Sequence, residues 1–206
     1  MLDSEPLFAA GRAELLARYG LTASAQGNIS GSGMRAFWQS VLDASRKENV
    51  PTAAELARLN FEFCLSRIVS DSVPPADGLI ELLDFLRSND YSLSVASSSD
   101  RFYVETVLKH LKIEGYFDRM VCGDDVARAK PFPDIYAAAA KATGLTLSEC
   151  VAIEDSDNGI ASARAAGIAC IGVDSAVPKT QSFEGCTVKV DSLCEIIDFL
   201  RMERAD

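Results

Sequence analysis

The fold is decided by the stretch Val151-Ala152-Ile153-Glu154-Asp155-Ser156-Asp157-Asn158-Gly159-Ile160, in which two carboxylates follow directly on an apolar run. The apolar residues predict a buried strand, and a helical pattern begins just beyond the polar residues. Ligands of open α/β sheets bind at the carboxyl ends of the strands. Adjacent carboxylates at such an edge form an oxygen-rich site of the kind that holds Mg²⁺. Glu154 and Asp155 are therefore the candidate metal ligands.

The rest of the chain falls into two parts that differ in the spacing of their apolar residues. Residues 4–73 carry apolar side chains at helical spacing, and Val73-Pro74-Pro75 ends that pattern. Beyond it, short apolar runs alternate with helical segments across residues 74–206. This alternation predicts a doubly wound parallel α/β sheet. The predicted strands are 92–96, 119–122, 151–153, 169–173 and 187–190.

Composition and charge exclude several classes of function. The 206 residues carry a net charge of −10, which disfavours nucleic acid as a partner. No apolar run is long enough for a membrane span, and residues 1–7 do not resemble a secretory leader, so a cytoplasmic protein is expected. His110 is the only histidine, which excludes a histidine triad or a multi-histidine zinc site. Cys122, Cys150 and Cys170 lie in or beside predicted strands and are expected to be buried, reduced thiols.

Two further strand ends carry polar groups that suit a phosphoryl ligand. Ser97 and Ser98 follow a strand and precede a helix, where hydroxyls and free N–H groups can bind an anion. Lys130 stands before Pro131 in a loop that prolines make rigid. Each feature also has a simpler explanation, namely a helix cap, a surface lysine or acids favoured by a helix dipole. Their combination at successive strand ends favours a phosphoryl site with Mg²⁺ on Asp155.

The segments 95–99 (VASSS), 129–136 (AKPFPDIY) and 153–160 (IEDSDNGI) resemble three motifs of the haloacid dehalogenase superfamily. The similarity is to its phosphatase and phosphosugar-mutase branch, which implies a small helical cap at 4–73 and an α/β core at 74–206 together with 1–3. It implies a catalytic role for Ser97 and Lys130 and Mg²⁺ as cofactor. Asp155 is then a metal ligand, and Glu154 a direct or more distant one.

One departure from the family pattern concerns the nucleophile. Family members begin with an apolar strand that ends in Asp-x-Asp, and the first of these aspartates attacks phosphorus. In this sequence that strand would lie before Met1, so the central first strand of the sheet is missing from the chain as given. Its neighbours, which end at Ser97 and Asp155, are expected either to keep unpaired edges or to pair directly.

Three alternatives follow for the activity. The chain is an N-terminally shortened form of a Mg²⁺-dependent phosphatase, a non-catalytic phosphate-binding or regulatory protein, or an enzyme with another nucleophile such as a metal-bound water. The expected ligand is a small phosphorylated metabolite, and the expected assembly a monomer or weak homodimer. Arg35 is the cap candidate for a second anionic group. Mutase relatives carry histidine where this chain has Phe8, so a phosphosugar mutase is the less favoured activity. Dehalogenation is also disfavoured, because it uses no metal and Glu154 and Asp155 suit one.

Overall fold

The computed structural model describes residues 1–2, 4–23, 33–45, 47–174 and 181–203. Within these ranges the chain forms eight α-helices and five strands, joined in places by short 3₁₀ turns. In chain order they are α1 Glu5–Tyr19, α2 Met34–Ser45, α3 Ala53–Ser70, α4 Leu79–Ser88, β1 Ser94–Ala96, α5 Arg101–Leu111, β2 Arg119–Val121, α6 Asp134–Thr143, β3 Val151–Glu154, α7 Asp157–Ala165, β4 Ala169–Val173, β5 Val188–Val190 and α8 Leu193–Glu203.

Local sequence signals account for the helix ends. Helix α1 carries proline in its first turn and ends at Gly20, whose φ of 58° suits a residue without a side chain. Helix α3 begins with a capping box in which Thr52 and Glu55 each bond the other's backbone N–H. Helix α7 is capped by Ser156, whose hydroxyl accepts the N–H of Gly159. Residues adjacent in the sequence therefore account for these helix ends.

Helices pack on both faces of β4. Ile171 of β4 belongs to a large apolar cluster that includes side chains of α4, α5 and α8. Its neighbour Cys170 points the other way, into a second cluster with α6 and α7. Because successive strand residues face opposite sides, β4 contributes to both layers. The architecture confirms the predicted α/β fold with parallel strands.

The N-terminal helices pack on one another and share the larger apolar cluster with the α/β part. Phe8 of α1 lies against Phe61 of α3 and Tyr103 of α5, with ring centroids 5.5 Å and 5.3 Å away. These rings join the helical segment to α5. The division into a cap at 4–73 and a core at 74–206 stays a prediction.

The strands form two sheets rather than one. Strand β1 pairs with β2, and β3 pairs with β4, which pairs in turn with β5; the described residues give β1 and β3 no further strand partner. Ser97 N–H donates to the Val121 carbonyl on the β2 side, so the Ala96 carbonyl points to the opposite, unpaired edge of β1. There it accepts a hydrogen bond of 3.1 Å from Lys130 Nζ, which also pairs with Glu154 of β3. We call the space between these unpaired edges of β1 and β3 the sheet gap.

The side chains beside the sheet gap show its physical consequence. Val151 and Ile153 of β3 are 44% and 37% exposed, although strands of a parallel sheet are normally covered on both faces. Helices α6 and α7 contact each other and cover β1 and β3 from one side, so both sheets share that helical layer. Of the two arrangements expected for a missing central strand, the structure has the one in which its neighbours stay apart.

Asp118 fastens the start of the β1–β2 sheet, and its contribution should depend on pH. Its carboxylate accepts the N–H of Leu93 at 3.0 Å and also bonds Ser92 and Arg87. The Leu93 N–H, followed by the Arg87 and Ser92 donors, holds the pKa of Asp118 below its usual value. A lowered folded-state pKa gives stability above the unfolded value of about 3.9, and that stability is lost as pH falls through the folded value.

We therefore expect Asp118→Asn to lower the melting temperature at pH 7 and to have a smaller effect at pH 3. Thermal unfolding followed by circular dichroism at both pH values measures the difference. Asp90→Asn, a substitution at the surface turn after α4, serves as the control. An equal loss at both pH values would show that the charge of Asp118 is not what matters.

Two of the three cysteines that were expected to be buried thiols are buried in the structure. Cys122 and Cys170 are buried free thiols, as predicted, whereas Cys150 is only half-buried because it lies in the turn before β3. Burial raises the pKa of Cys122 to about 11, so this thiol is neutral at physiological pH.

In the part of the chain that the structure describes, no helix combines the length and hydropathy that crossing a bilayer requires.

Candidate functional site

The carboxyl ends of β1 and β3 meet at a single lysine. Ser97 to Ser99 follow β1, Glu154 and Asp155 close β3, and Lys130 stands in the loop between β2 and α6. Lys130 is a buried residue whose ammonium bonds the Ala96 carbonyl on one side and Glu154 on the other. The structure thus brings three predicted site segments to one edge of the sheets.

Glu154 is committed to protein partners. Its Oε1 accepts hydrogen bonds from Lys130 Nζ and from the hydroxyl of Tyr136, and Ser156 Oγ lies 3.4 Å from Oε2. A Cβ placed on Gly159 would collide with that Oε2, so glycine is needed where α7 begins. The Glu154 side chain is only 6% exposed. A buried carboxylate in this setting serves Lys130 first, which places Glu154 further from a metal-ligand role than Asp155.

Asp155 differs from its neighbour in both exposure and partners. It lies just beyond the end of β3, is exposed to solvent, and has no hydrogen-bond or ion-pair partner among the described residues. A free carboxylate at the carboxyl edge of a parallel sheet is available to a cation. The chemistry of this donor fits Mg²⁺, to which Asp155 would contribute one carboxylate.

The serine segment offers hydroxyls to the same edge. Ser97 Oγ accepts the N–H of Ser99 at 3.2 Å, while the Ser98 hydroxyl is buried and finds no partner among the described residues. The cap of α5 is Asp100 rather than a serine, so the simpler explanation as helix caps does not hold for Ser97. Gly123 packs closely on this segment, since an added Cβ would collide with the Ser98 carbonyl oxygen.

Arg35 reaches this region electrostatically. It is an exposed residue in the first turn of α2. Loss of solvent and the charge of Asp124 raise the pKa of Asp100, and the guanidinium of Arg35 partly offsets this rise. Arg35 therefore lies within electrostatic reach of the cap of α5, near the serines. A substrate contact by Arg35 stays a prediction.

Two residues of the site were missed from sequence. Asp157 accepts the N–H groups of Ser182 and Phe183 at 3.0 Å and 2.7 Å, so it fastens the segment before β5 instead of extending the acidic edge. Burial opposes its charge, but these donors outweigh that effect and hold its pKa below the usual value. Tyr136 is the second residue that was missed. In the sequence, a tyrosine at helical spacing cannot be distinguished from an ordinary core residue. The Asp-rich pattern after β3 could have suggested a loop anchor at Asp157.

A second acidic group, near the end of β2, is explained by pairing within the protein. Asp124 and Asp125 lie beside Cys122. Arg101 Nη2 pairs with Asp125 at 2.6 Å, and the Arg101 N–H donates to Asp124 at 3.1 Å. These contacts join α5 to the end of β2, which is a structural role.

Comparisons with known proteins agree with the fold. Residues 1–173 match the family described as haloacid dehalogenase-like hydrolase. The chain is 33% identical over 177 residues to fructose-1-phosphate phosphatase YqaB of Escherichia coli, covering 84% of this chain and 90% of that protein.

Solved structures show the same fold at lower identity. CbbY from Rhodobacter sphaeroides, in a mutant form complexed with xylulose-(1,5)bisphosphate, gives a TM-score of 0.80 at 23% identity, over 95% of this chain and 91% of that one. A β-phosphoglucomutase from Clostridium difficile gives 0.80 at 20% identity, over 98% and 92%. The match across residues 1–173 and the similarity to YqaB show that the chain belongs to the family of haloacid dehalogenase-like hydrolases.

Proposed function

We propose that this chain belongs to a Mg²⁺-dependent phosphatase of small phosphomonoesters, whose nucleophilic carboxylate the given sequence does not contain. The observation that carries the proposal is the buried Lys130, which joins the ends of β1 and β3 directly beside Ser97 and Asp155. A cation, hydroxyls and a free carboxylate at one edge are the groups that phosphoryl transfer needs around phosphorus.

Each side chain has a distinct task in this proposal. Ser97 and Ser98 bind the non-bridging oxygens of the phosphoryl group with their hydroxyls. Lys130 offsets the charge that develops on the phosphoryl group and the attacking oxygen. Asp155 would hold Mg²⁺, whose chemistry when bound is to polarise a phosphoryl oxygen. Arg35, from the helical cap, is proposed to meet a second anionic group of the substrate.

Mg²⁺ should bind weakly to the chain as given. Asp155 is free, but Glu154 is held by Lys130 and Tyr136, so only one of the two adjacent carboxylates at the end of β3 is unengaged. Hard cations require several oxygen ligands, and a single carboxylate supplies too few for tight binding.

The substrate class rests on chemistry and on relatives. The net charge of −10 disfavours polyanions, so a small ligand held by local groups is favoured. YqaB is named for fructose 1-phosphate, and the CbbY structure contains a sugar bisphosphate, which supports a phosphorylated sugar or a similar metabolite for this chain.

Two other functions are less well supported. A phosphosugar mutase is disfavoured because Phe8 is an apolar ring packed among Phe61 and Tyr103, and it can neither donate nor accept a proton. A non-catalytic phosphate-binding protein is the stronger alternative, since every group discussed above would also serve binding alone.

Hydrolysis assays separate these functions. We expect the 206-residue chain to release phosphate from p-nitrophenyl phosphate and fructose 1-phosphate at least about 10³-fold more slowly than a chain extended by a strand ending in Asp-x-Asp, because the nucleophile is absent. In the extended chain, Asp155→Ala should abolish Mg²⁺-dependent turnover. Activity of the 206-residue chain that Asp155→Ala abolishes would contradict the proposal, and an inactive extended chain that binds phosphate would favour the binding protein.

A further inference from the structure

Tyr136 contacts both members of the buried ion pair. It lies in the first turn of α6, directly after the loop that carries Lys130, and is itself buried. Its hydroxyl donates a hydrogen bond to Glu154 Oε1, the same oxygen that Lys130 Nζ contacts. That ammonium lies over the ring of Tyr136, with Nζ 5.1 Å from the ring centroid. One side chain therefore touches the anion through its hydroxyl and the cation through its ring.

The Glu154 carboxylate has little freedom to move away from this contact. Gly159 covers Oε2 so closely that even a methyl group there would collide with it, and Ser156 Oγ lies on the same oxygen. The remaining oxygen, Oε1, is shared by Lys130 and Tyr136. Since a buried carboxylate keeps its orientation through its donors, the Tyr136 hydroxyl helps to fix where Glu154 holds Lys130.

We propose that Tyr136 is a positioning residue that acts through Glu154 on Lys130. The Tyr136 hydroxyl and the ammonium both contact Glu154 Oε1. In this way the hydroxyl keeps Lys130 at the ends of β1 and β3, and Glu154 stays bound to the lysine instead of to a metal ion. The significance of this position for phosphate rests on the proposed function, whereas the position itself rests on the contacts of Tyr136.

Competitive acetylation of the amines with acetic anhydride, read by mass spectrometry, reports the position directly. In the unmodified sequence Lys130 should react much more slowly than the exposed Lys109, Lys112 and Lys141, because it is buried and paired. Tyr136→Phe keeps the ring and removes only the hydroxyl. We expect this variant to raise the Lys130 rate by at least about tenfold, the factor that corresponds to about 1.5 kcal/mol for one lost hydrogen bond to a charged group, with the exposed lysines unchanged.

Tyr116 provides a matched control. Its hydroxyl also donates to a carboxylate, that of Asp84 at 2.6 Å, but it lies before β2, at the opposite end of the strands from Lys130. Tyr116→Phe should leave the Lys130 rate unchanged. If Tyr136→Phe leaves that rate unchanged too, or raises the rates of all lysines together, the proposed positioning is wrong.

Inorganic phosphate, added during acetylation, distinguishes this proposal from the proposed function. We expect phosphate to protect Lys130 in the unmodified sequence and to protect it less in Tyr136→Phe. If phosphate does not protect Lys130 but Lys130 still reacts faster in Tyr136→Phe, the proposed function is wrong and the proposed positioning stands. Equal protection in both proteins would mean that the hydroxyl does not set the position of the ammonium.

Discussion

Completing the sheet should stabilise the protein: a chain extended before Met1 by an apolar strand that ends in Asp-x-Asp should melt about 10 °C higher than the 206-residue chain. For a domain of this size 1 kcal/mol corresponds to roughly 2–4 °C, so the expected gain is on the order of 3–5 kcal/mol. Thermal unfolding by calorimetry measures it directly.

The gain comes from both edges of the sheet gap. A strand placed there would pair with β1 and β3 at once, and each new backbone hydrogen bond contributes roughly 0.5–1.5 kcal/mol. It would also remove Val151 and Ile153 from water, at about 1 kcal/mol each for the exposed part. Ordering the added residues offsets much of this sum, at about 1–2 kcal/mol per residue.

The start of the chain supports insertion in the parallel direction. The Met1 carbonyl accepts the N–H of Ala76 at 2.8 Å, just before α4. Helix α4 precedes β1, so α4 begins at the edge of the sheet where the strands have their carboxyl ends. Met1, which bonds the residue just before α4, therefore lies at that edge. A strand ending next to Met1 would therefore run alongside β1 and β3 in their own direction and deliver its last residues beside Lys130.

Two comparisons separate sheet completion from chemistry. An extended chain with Asn-x-Asn in place of Asp-x-Asp should keep the higher melting temperature and lose hydrolysis. Hydrogen exchange should slow at the amides of β1 and β3, but not at β5 on the far edge of the other sheet. Unchanged melting and unchanged exchange at β3 would show that the gap does not take up a strand.

Much of the fold could be predicted because its signals are local. The predicted strand 169–173 is the same as β4 in the structure, since a short apolar run depends on neighbouring residues only. The sheet gap, in contrast, was predicted from the resemblance to a family. No periodicity within the chain indicates that β1 and β3 lack a common neighbour.

The contacts of the site were harder to predict than its residues. Lys130, Ser97 and Asp155 could be named because polar groups at strand ends stand out. That Glu154 serves Lys130 depends on which face of β3 it occupies. Alternation along the strand puts Glu154 on the side of the buried Ala152, a signal that the sequence contains. The hydroxyl of Tyr136, 18 positions away, reaches Glu154 only through tertiary packing.

Breaking the buried Lys130–Glu154 pair should cost more than removing it. We expect Glu154→Leu or Lys130→Met alone to lower the free energy of unfolding by about 3–5 kcal/mol, because each leaves an uncompensated charge in a buried place. The side chains of Lys130 and Glu154 are only 9% and 6% exposed, so water can do little to replace the lost partner. Urea unfolding at pH 7 gives the values for the two single variants and the double variant.

The exposed pair Arg58–Glu62 is the matched control. These side chains are 66% and 49% exposed and stand one helical turn apart, so their coupling energy should be about 0.3–0.5 kcal/mol. A double-mutant cycle on each pair compares the two environments on the same scale. If Glu154→Leu costs less than about 1 kcal/mol, the pair is far better solvated than its burial indicates.

The double variant Lys130→Met/Glu154→Leu separates stability from function. Apolar side chains of similar size avoid the desolvation of two charges but leave the Tyr136 hydroxyl and the Ala96 carbonyl without these partners, so this variant should lose less stability than either single variant. It should nevertheless fail to bind inorganic phosphate in calorimetry. A pair whose joint replacement by apolar side chains costs less than the loss of either partner is retained for the ammonium that it holds at the strand ends. Phosphate binding preserved in the double variant would remove Lys130 from the proposed site.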